Sequence, residues 1–253
     1  MNILEQILDV KRQEIDQIQN SKFGERRGQK RSLKDALSKP GISIIAEIKM
    51  KSPSEGEILP NADPVQIAKE YESAGASAIS VLTDYKFFGG SLDILTDVQK
   101  AVSIPVIRKD FIIDTKQILE TVHYQADAFL LIADALDQDT LQQLIKNGKT
   151  SGLEILVEYH DEEHAEYIFV LNPEIVGINC RNLKTMTTDI SYFGKMISSL
   201  PSNSVKVAES GIYTSGDLKT ISDLGYDAAL VGTSLMKTGN PGKSLEALLG
   251  GIS

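Results

Sequence analysis

Eight apolar runs, most of them ending in charged or polar residues, alternate along this chain with stretches whose apolar residues recur at helical spacing. The runs are Ile44 to Lys49, Ala78 to Asp84, Val106 to Phe111, Ala128 to Ile132, Glu154 to Glu158, Val176 to Arg181, Val205 to Gly211 and Ala228 to Ser234. The helical stretches between them are Pro64 to Ala74, Leu92 to Val102, Thr115 to His123, Asp139 to Lys149, Glu162 to Val170, Ile190 to Leu200, Ser215 to Leu224 and Lys243 to Leu249. Near-continuous Val, Ile and Leu strands alternating with helices predict a parallel sheet covered by helices. Eight such units in 253 residues match one closed (β/α)8 barrel, whose usual size is about 250 residues. An open doubly wound sheet would need a glycine fingerprint after its first strand, and Lys49-Met50-Lys51-Ser52-Pro53-Ser54 stands there instead. The expected fold class is therefore α/β, a (β/α)8 TIM barrel.

In such a barrel the active site is assembled at the carboxyl ends of the strands, where these charges sit. Burying a charge costs several kcal/mol unless pairing or chemistry compensates, so each strand-end charge needs a reason. Side chains alternate along a strand, which puts Glu47 and Lys49 on one face and Ile48 and Met50 on the other. The same alternation sends one of Arg108 and Lys109 into the mouth and the other among the helices, paired with an acid such as Asp110 or Asp84; parity alone does not choose between them. Glu209-Ser210-Gly211-Ile212 and Val231-Gly232-Thr233-Ser234 each put a glycine where the backbone can approach a ligand closely. Together they resemble the phosphate cradle formed by the loops after strands seven and eight.

The formal net charge of -9 argues against a nucleic-acid partner, which would call for a basic surface. No uncharged apolar run approaches the roughly 18 residues needed to cross a bilayer. The amino terminus carries acids in its first turns and lacks the basic start and cleavage site of a secretory signal, so a cytoplasmic location is expected. Ile3, Leu4, Ile7, Leu8, Ile15 and Ile18 keep helical spacing and predict an amphipathic helix ahead of the barrel. The chain is expected to form one domain over residues 1–253, with residues 1–40 a helical extension packed on the barrel. The basic stretch Lys22 to Lys34 reads as a solvated linker leading to a second short helix, Ser32 to Ser38, with a cationic lip for an anionic substrate as the weaker alternative. Cys180 is the single cysteine; it allows no internal disulfide and reads as a buried thiol facing away from Asn179. His123, His160 and His164 read as surface or packing residues in or near helical segments, away from strand ends.

The run Ile45-Ala46-Glu47-Ile48-Lys49-Met50-Lys51-Ser52-Pro53-Ser54 resembles the signature of the indole-3-glycerol phosphate synthase family. Further similar segments follow in order: Leu82-Thr83-Asp84 with Phe88-Gly89-Gly90-Ser91, Arg108 to Ile112, Val157-Glu158, Gly177 to Leu183, Val207 to Ile212 and Val231 to Met236. Met50 departs from the basic or small polar residue usual there, but parity turns it away from the charges. The resemblance implies a carboxy-lyase that closes the ring of 1-(2-carboxyphenylamino)-1-deoxyribulose 5-phosphate, releasing carbon dioxide and water, in tryptophan biosynthesis. By the same resemblance Lys109 is the general acid for ring closure and Glu158 the general base for dehydration. Lys49 holds the substrate carboxylate with Glu47 as its partner, and Asn179, Arg181, Glu209 and Ser210 position the linker hydroxyls. Ser52, Gly211, Gly232 and Thr233 contact phosphate, while Phe88, Phe111, Leu130 and Leu183 wall the aromatic ring. Acid and base steps of this kind need no metal or redox cofactor. The expected partner is this small phosphorylated substrate, with no nucleic acid or membrane, and the expected state is a monomer. Rival readings are a Schiff-base aldolase acting through Lys49 or Lys109, phosphoribosylanthranilate isomerase, or a phosphate-binding barrel without catalysis.

Overall fold

The computed structural model describes residues 2–18, 23–182 and 184–251. Its strands are β1 (Ser43–Ile48), β2 (Lys51–Ser52), β3 (Gly56–Glu57), β4 (Ala78–Leu82), β5 (Val106–Lys109), β6 (Ala128–Ile132), β7 (Glu154–Tyr159), β8 (Ile175–Asn179), β9 (Val205–Glu209) and β10 (Ala228–Val231). β2 and β3 form a small antiparallel hairpin. The other eight pair in parallel in chain order, and the sheet closes where β10 meets β1. A (β/α)8 barrel results, as expected.

The helices are α1 (Ile3–Ile18), α2 (Leu33–Leu37), α3 (Pro64–Ser73), α4 (Tyr85–Phe88), α5 (Leu92–Ala101), α6 (Thr115–His123), α7 (Gln138–Thr150), α8 (Ala165–Leu171), α9 (Tyr192–Met196), α10 (Ser215–Asp223), α11 (Thr233–Met236) and α12 (Pro241–Gly250). Several start on side chains that take up otherwise unpaired backbone N–H groups: Asp63 ahead of Pro64 in α3, and capping boxes of Asp114 with Gln117 and Thr214 with Asp217. Two expected helices are shorter than their apolar spacing suggested. Glu162–His164 is a 3-10 turn ahead of α8. Ile190 and Ser191 are drawn out of α9 because Ser191 binds the Asp189 carboxylate through its N–H (2.9 Å) and hydroxyl (2.7 Å).

Two apolar layers divide the strand residues by parity. Ile44, Ile79, Phe129, Val157 and Ile178 face the helices, while Ile45, Ala78, Ile107, Leu130, Leu156 and Val207 fill the barrel. α2 plugs the amino-terminal end of the barrel, where Leu33 and Leu37 are fully buried with the interior layer. α1 lies at the opposite end: its Lys11 ammonium is 2.8 Å from Asp84 Oδ2 beyond β4 and 2.9 Å from Asp110 Oδ1 beyond β5.

The basic segment between these helices is neither a solvated linker nor a cationic lip. Lys22 lies outside the described residues; from Phe23 onward the chain is pinned along the barrel wall toward its amino-terminal end. Arg31 donates to the carbonyls of Ile104 (3.0 Å) and Gln99 (2.9 Å). Arg26 pairs with the fully buried Asp127, and Lys30 and Lys34 reach Glu154 and Glu174 (3.4 and 3.0 Å). Arg26, Lys30, Arg31 and Lys34 are thus taken up by partners that the barrel itself supplies.

Candidate active site

Each functional side chain stands at or just beyond the carboxyl end of a strand. Glu47 is on β1 and Lys49 follows it; Lys109 ends β5, Glu158 is on β7, Asn179 ends β8 and Glu209 ends β9. Asp84 accepts from Phe87 N (2.7 Å) and Phe88 N (3.3 Å), holding the α4 turn that carries Phe88. Phe88 and Phe111 stand with ring centroids 6.2 Å apart, and Leu130 and Ile132 from β6 extend the apolar surface.

One cavity collects these groups: Glu47, Lys49, Ser52, Phe88, Lys109, Phe111, Leu130, Glu158, Asn179, Arg181, Glu209, Ser210, Gly211, Gly232 and Thr233 all line it. Leu183 lies outside the described residues. Of the two adjacent cations, Lys109 enters the mouth and Arg108 lies among the helices, 3.1 Å from Asp110 and 2.8 Å from Glu120. Met50 is half-buried, packs on the outer apolar layer and does not line the cavity. Cys180 is buried on the face opposite Asn179, where burial pushes its thiol up to about 12.

Lys109 Nζ is 2.9 Å from Glu158 Oε2 and 3.2 Å from Glu209 Oε2, and Lys49 Nζ is 2.8 Å from Glu47 Oε1. Asn179 Nδ2 donates to the other Glu158 oxygen at 3.2 Å, and Arg181 N donates to Asn179 Oδ1 at 3.0 Å, fixing the amide. Burial alone would lower the Lys109 ammonium, but the charges of Glu158, Glu209 and Glu47 overcome it and hold it above the usual lysine range. Burial would raise Glu47, yet Lys49 and Lys109 together bring it below its ordinary value. In Glu158 burial is likewise outweighed by Lys109 and by hydrogen bonds from Glu209, Lys109 and Asn179. Glu209 goes the other way: burial and the neighbouring Glu158 charge push it well above its ordinary value, and Lys109 offsets only part. Two carboxyls this close oppose each other's ionisation, and their surroundings favour the charged form of Glu158 over that of Glu209. An ammonium and a carboxylate therefore stand in contact beside the cavity, each holding the other in its charged form.

At another part of the cavity the loops after β9 and β10 and the β2–β3 hairpin are knit together. Ser234 Oγ donates to Ile212 O at 2.9 Å, and Lys237 at the end of α11 pairs with Glu55 of the hairpin loop. Ser210 and Gly211 both hold φ of 70°, two successive left-handed residues that turn the chain sharply after β9. Gly232 has a different reason to be glycine. A Cβ there would fall 2.5 Å from Glu47 Oε1, so the position makes room for the carboxylate.

Sequence reading missed Ile132, Met186 and Tyr213 as cavity residues; an apolar or aromatic side chain at a strand end or in a loop carries no distinguishing mark. It also misplaced His160, which follows β7 directly instead of standing clear of the strand ends. Its Nδ1 lies 2.8 Å from Asn179 O and its Nε2 3.1 Å from Asn182 Nδ2. The carbonyl can only accept, so Nδ1 carries the proton. The ring stacks on Tyr192 at 4.8 Å, consistent with the expected packing role. Among the described residues Asp134, Asp161 and His164 bring possible metal-ligating atoms within 4.8 Å of one another. They do not line the cavity, and Asp134 is taken up by the N–H groups of His160 and Asp161 at 2.8 Å each.

A closed parallel barrel with paired acids and lysines converging on a cavity at its carboxyl end defines a (β/α)8-barrel enzyme of the acid–base type. Solved structures agree on the fold alone: thiamine phosphate pyrophosphorylase from Pyrococcus furiosus superposes with a TM-score of 0.62 at 14% identity, covering 87% of this chain and 98% of that one. Residues 4–248 match the family described as indole-3-glycerol phosphate synthase, and the chain belongs to that family. A relative of that description from Geobacillus sp. (strain WCH70) is 50% identical over 238 residues, covering 93% of this chain and 92% of its own length. Another, from Halalkalibacterium halodurans, is 45% identical over 252 residues, covering 98% and 97%.

Proposed function

We propose that this chain converts 1-(2-carboxyphenylamino)-1-deoxyribulose 5-phosphate into indole-3-glycerol phosphate, carbon dioxide and water, the activity that names its relatives. The observation that carries the reading is the contact of Lys109 with Glu158 and Glu209, beside the Lys49–Glu47 pair and between an aromatic wall and the glycine loops. In the first step the ring carbon bearing the carboxylate attacks the ketone carbon, and Lys109 gives its proton to the ketone oxygen. The new carbon–carbon bond forms as that oxygen becomes a hydroxyl. Loss of carbon dioxide returns the bonding pair to the ring. Dehydration then expels the hydroxyl as water with a proton from Lys49, while Glu158 removes the proton from the adjacent carbon to complete the indole.

Lys49 suits the substrate carboxylate, because its ammonium opens on the cavity while Glu47 orients it. Phe88, Phe111 and Leu130 suit the aromatic ring, which gains by burial against apolar surface. Ser52, Gly211, Gly232 and Thr233 suit the phosphate, and Asn179, Arg181, Glu209 and Ser210 the hydroxyls between the two ends. Incubating the purified protein with this substrate, without added metal or nucleotide, should produce indole absorbance with stoichiometric carbon dioxide. No turnover, or borohydride-trapped substrate on a lysine, would replace ring closure with another barrel chemistry.

A further inference from the structure

Gly177 sits in the middle of β8, buried with the rest of the strand, between Glu158 on β7 and Val207 on β9. Its backbone is not in the left-handed region, so conformational freedom does not explain a glycine there. Glycine inside a strand leaves nothing to pack and marks close approach by a neighbour. The neighbour is Glu209: a Cβ on residue 177 would fall 2.3 Å from its Oε1 and 3.3 Å from its carboxyl carbon, with Leu156 Cδ1 at 3.4 Å. Oε2 of the same carboxyl is 3.2 Å from Lys109 Nζ, and among the described residues Oε1 has no hydrogen-bond partner. One oxygen thus rests on the catalytic lysine and the other occupies the space the glycine leaves.

We propose that Gly177 is a positioning residue for the acid–base centre: its missing side chain is the slot that seats the Glu209 carboxyl against Lys109 and Glu158. The proposal deepens the ring-closure reading and rests on it. The charged groups that line the cavity with this centre are Lys109 from β5, Glu158 from β7, Glu47 with Lys49 from β1, Asp84 and Asp110 beyond β4 and β5, and Arg181 beyond β8; β8 adds the neutral Asn179 and β10 the apolar Leu230. Seated in the slot, the Glu209 carboxyl offers an acceptor to Lys109 and lies beside Glu158 as the less readily ionised member of the pair, which favours the charged forms of the other two. Gly177→Ala displaces the far end of a flexible side chain, so the fold has room to accept it.

The test is Gly177→Ala alone and in a Glu209→Asp background, where the shorter side chain withdraws the carboxyl from the slot. The single variant should melt near the wild-type temperature and lose roughly 10- to 100-fold in kcat through misplacement of the centre, with KM changed by less than about threefold. The acidic limb of its kcat profile should move to higher pH, because Glu158 loses a neighbour that favours its ionised form. In the Asp background the alanine should cost little further activity. Carbon-13 NMR titration of the substrate-free enzyme should show the Glu158 and Glu209 carboxyls coupled in the wild type and uncoupled in Gly177→Ala. Wild-type kcat and carboxyl titration in Gly177→Ala would overturn the slot, as would equal losses in both backgrounds. A wild type that closes no ring, with titrations that still uncouple, would sink the ring-closure reading and leave the slot standing.

Discussion

Arg108 and Lys109 are neighbours in one strand, and each anchors a buried charge cluster on its own side of the barrel wall. On the outer side the Arg108 guanidinium is surrounded: Thr83 Oγ1 at 3.2 Å, Gln117 O at 3.0 Å, Thr121 Oγ1 at 3.1 Å, Asp110 at 3.1 Å and Glu120 at 2.8 Å. Lys11 of α1 completes the cluster on Asp84 and Asp110, with all three side chains at most 3% exposed. On the inner side Lys109 is 19% exposed, and Lys109, Glu158 and Glu209 line the cavity, whose wall Asp84 and Asp110 also reach; among the described residues Asp84 Oδ2 and Glu209 Oε1 both lack a hydrogen bond, but Asp84 Oδ2 is held by the Lys11 charge at 2.8 Å. Buried charge that is matched all round is a fastener, holding the amino-terminal helix and the α4 turn to the barrel. Buried charge left incomplete beside a cavity has capacity reserved for a substrate.

Exchanging the two roles should be easiest to detect in turnover. Lys109→Met and Glu158→Gln should each lose roughly 10²–10⁴ in kcat with little change in KM, since the lost interactions belong to the transition states. They should differ in the step that fails. Without Lys109 ring closure stalls, so substrate consumption and carbon dioxide release slow together. Without Glu158, single turnover should release carbon dioxide ahead of indole absorbance; simultaneous release at a normal rate would remove Glu158 as the dehydration base.

Lys11→Met attacks the fastener instead. It strands Asp84 and Asp110 without their cation, and removing one partner from a buried ionic group costs about 3–5 kcal/mol. In a chain of this size that is a fall of roughly 2–4 °C in Tm for each kcal/mol. Below its melting range the variant should keep the wild-type kcat; thermal denaturation beside steady-state kinetics checks both halves. A lost kcat with an unchanged Tm would erase the distinction between the clusters.

The two clusters also predict opposite responses to pH. Asp110 is held below its ordinary value because Lys11 and Arg108 outweigh its burial, so its contribution is present above the unfolded pKa of about 3.9 and fades as pH falls through the folded one. Lys11 is held above its ordinary value by Asp110 and Asp84 despite burial, so its contribution is present below about pH 10.4 and fades as pH rises through the folded value. The outer cluster therefore supports the fold evenly across neutral pH. Glu209 is raised, so the folded state binds the extra proton and stability falls as pH climbs from about 4.3 toward the folded pKa. Glu209→Gln removes that cost and should stabilise the protein by about 0.5–2 kcal/mol near neutral pH, an advantage that shrinks in acid. A constant difference in Tm across pH would mean that Glu209 is not held protonated. The smallest effect is expected at Met50, where Met50→Arg lies outside the cavity and should change kcat/KM by less than about twofold. A large gain would place residue 50 inside the site after all.

Much of this was legible in the chain because short-range rules carry it. Apolar runs alternating with helical spacing specified eight βα units, since parallel strands buried on both faces have little choice of composition. Period-two alternation put Glu47 and Lys49 in one pocket. Other features depended on which elements meet. Alternation separated Arg108 from Lys109 without saying which faced inward; the closed barrel decided it by setting Glu158 and Glu209 opposite one and Asp110 and Glu120 beside the other. Arg26, Arg31 and Lys34 looked solvated because their partners, Asp127, the Gln99 carbonyl and Glu174, are between 68 and 140 residues away. Gly177 looked like an ordinary member of a strand until Glu209, from the next strand, was found in its place. The chain by itself determined its elements and which side chains share a face, because those follow from local geometry. Only the tertiary structure decided which buried charges are satisfied and which remain open, because desolvation and pairing depend on groups that sequence distance does not reveal.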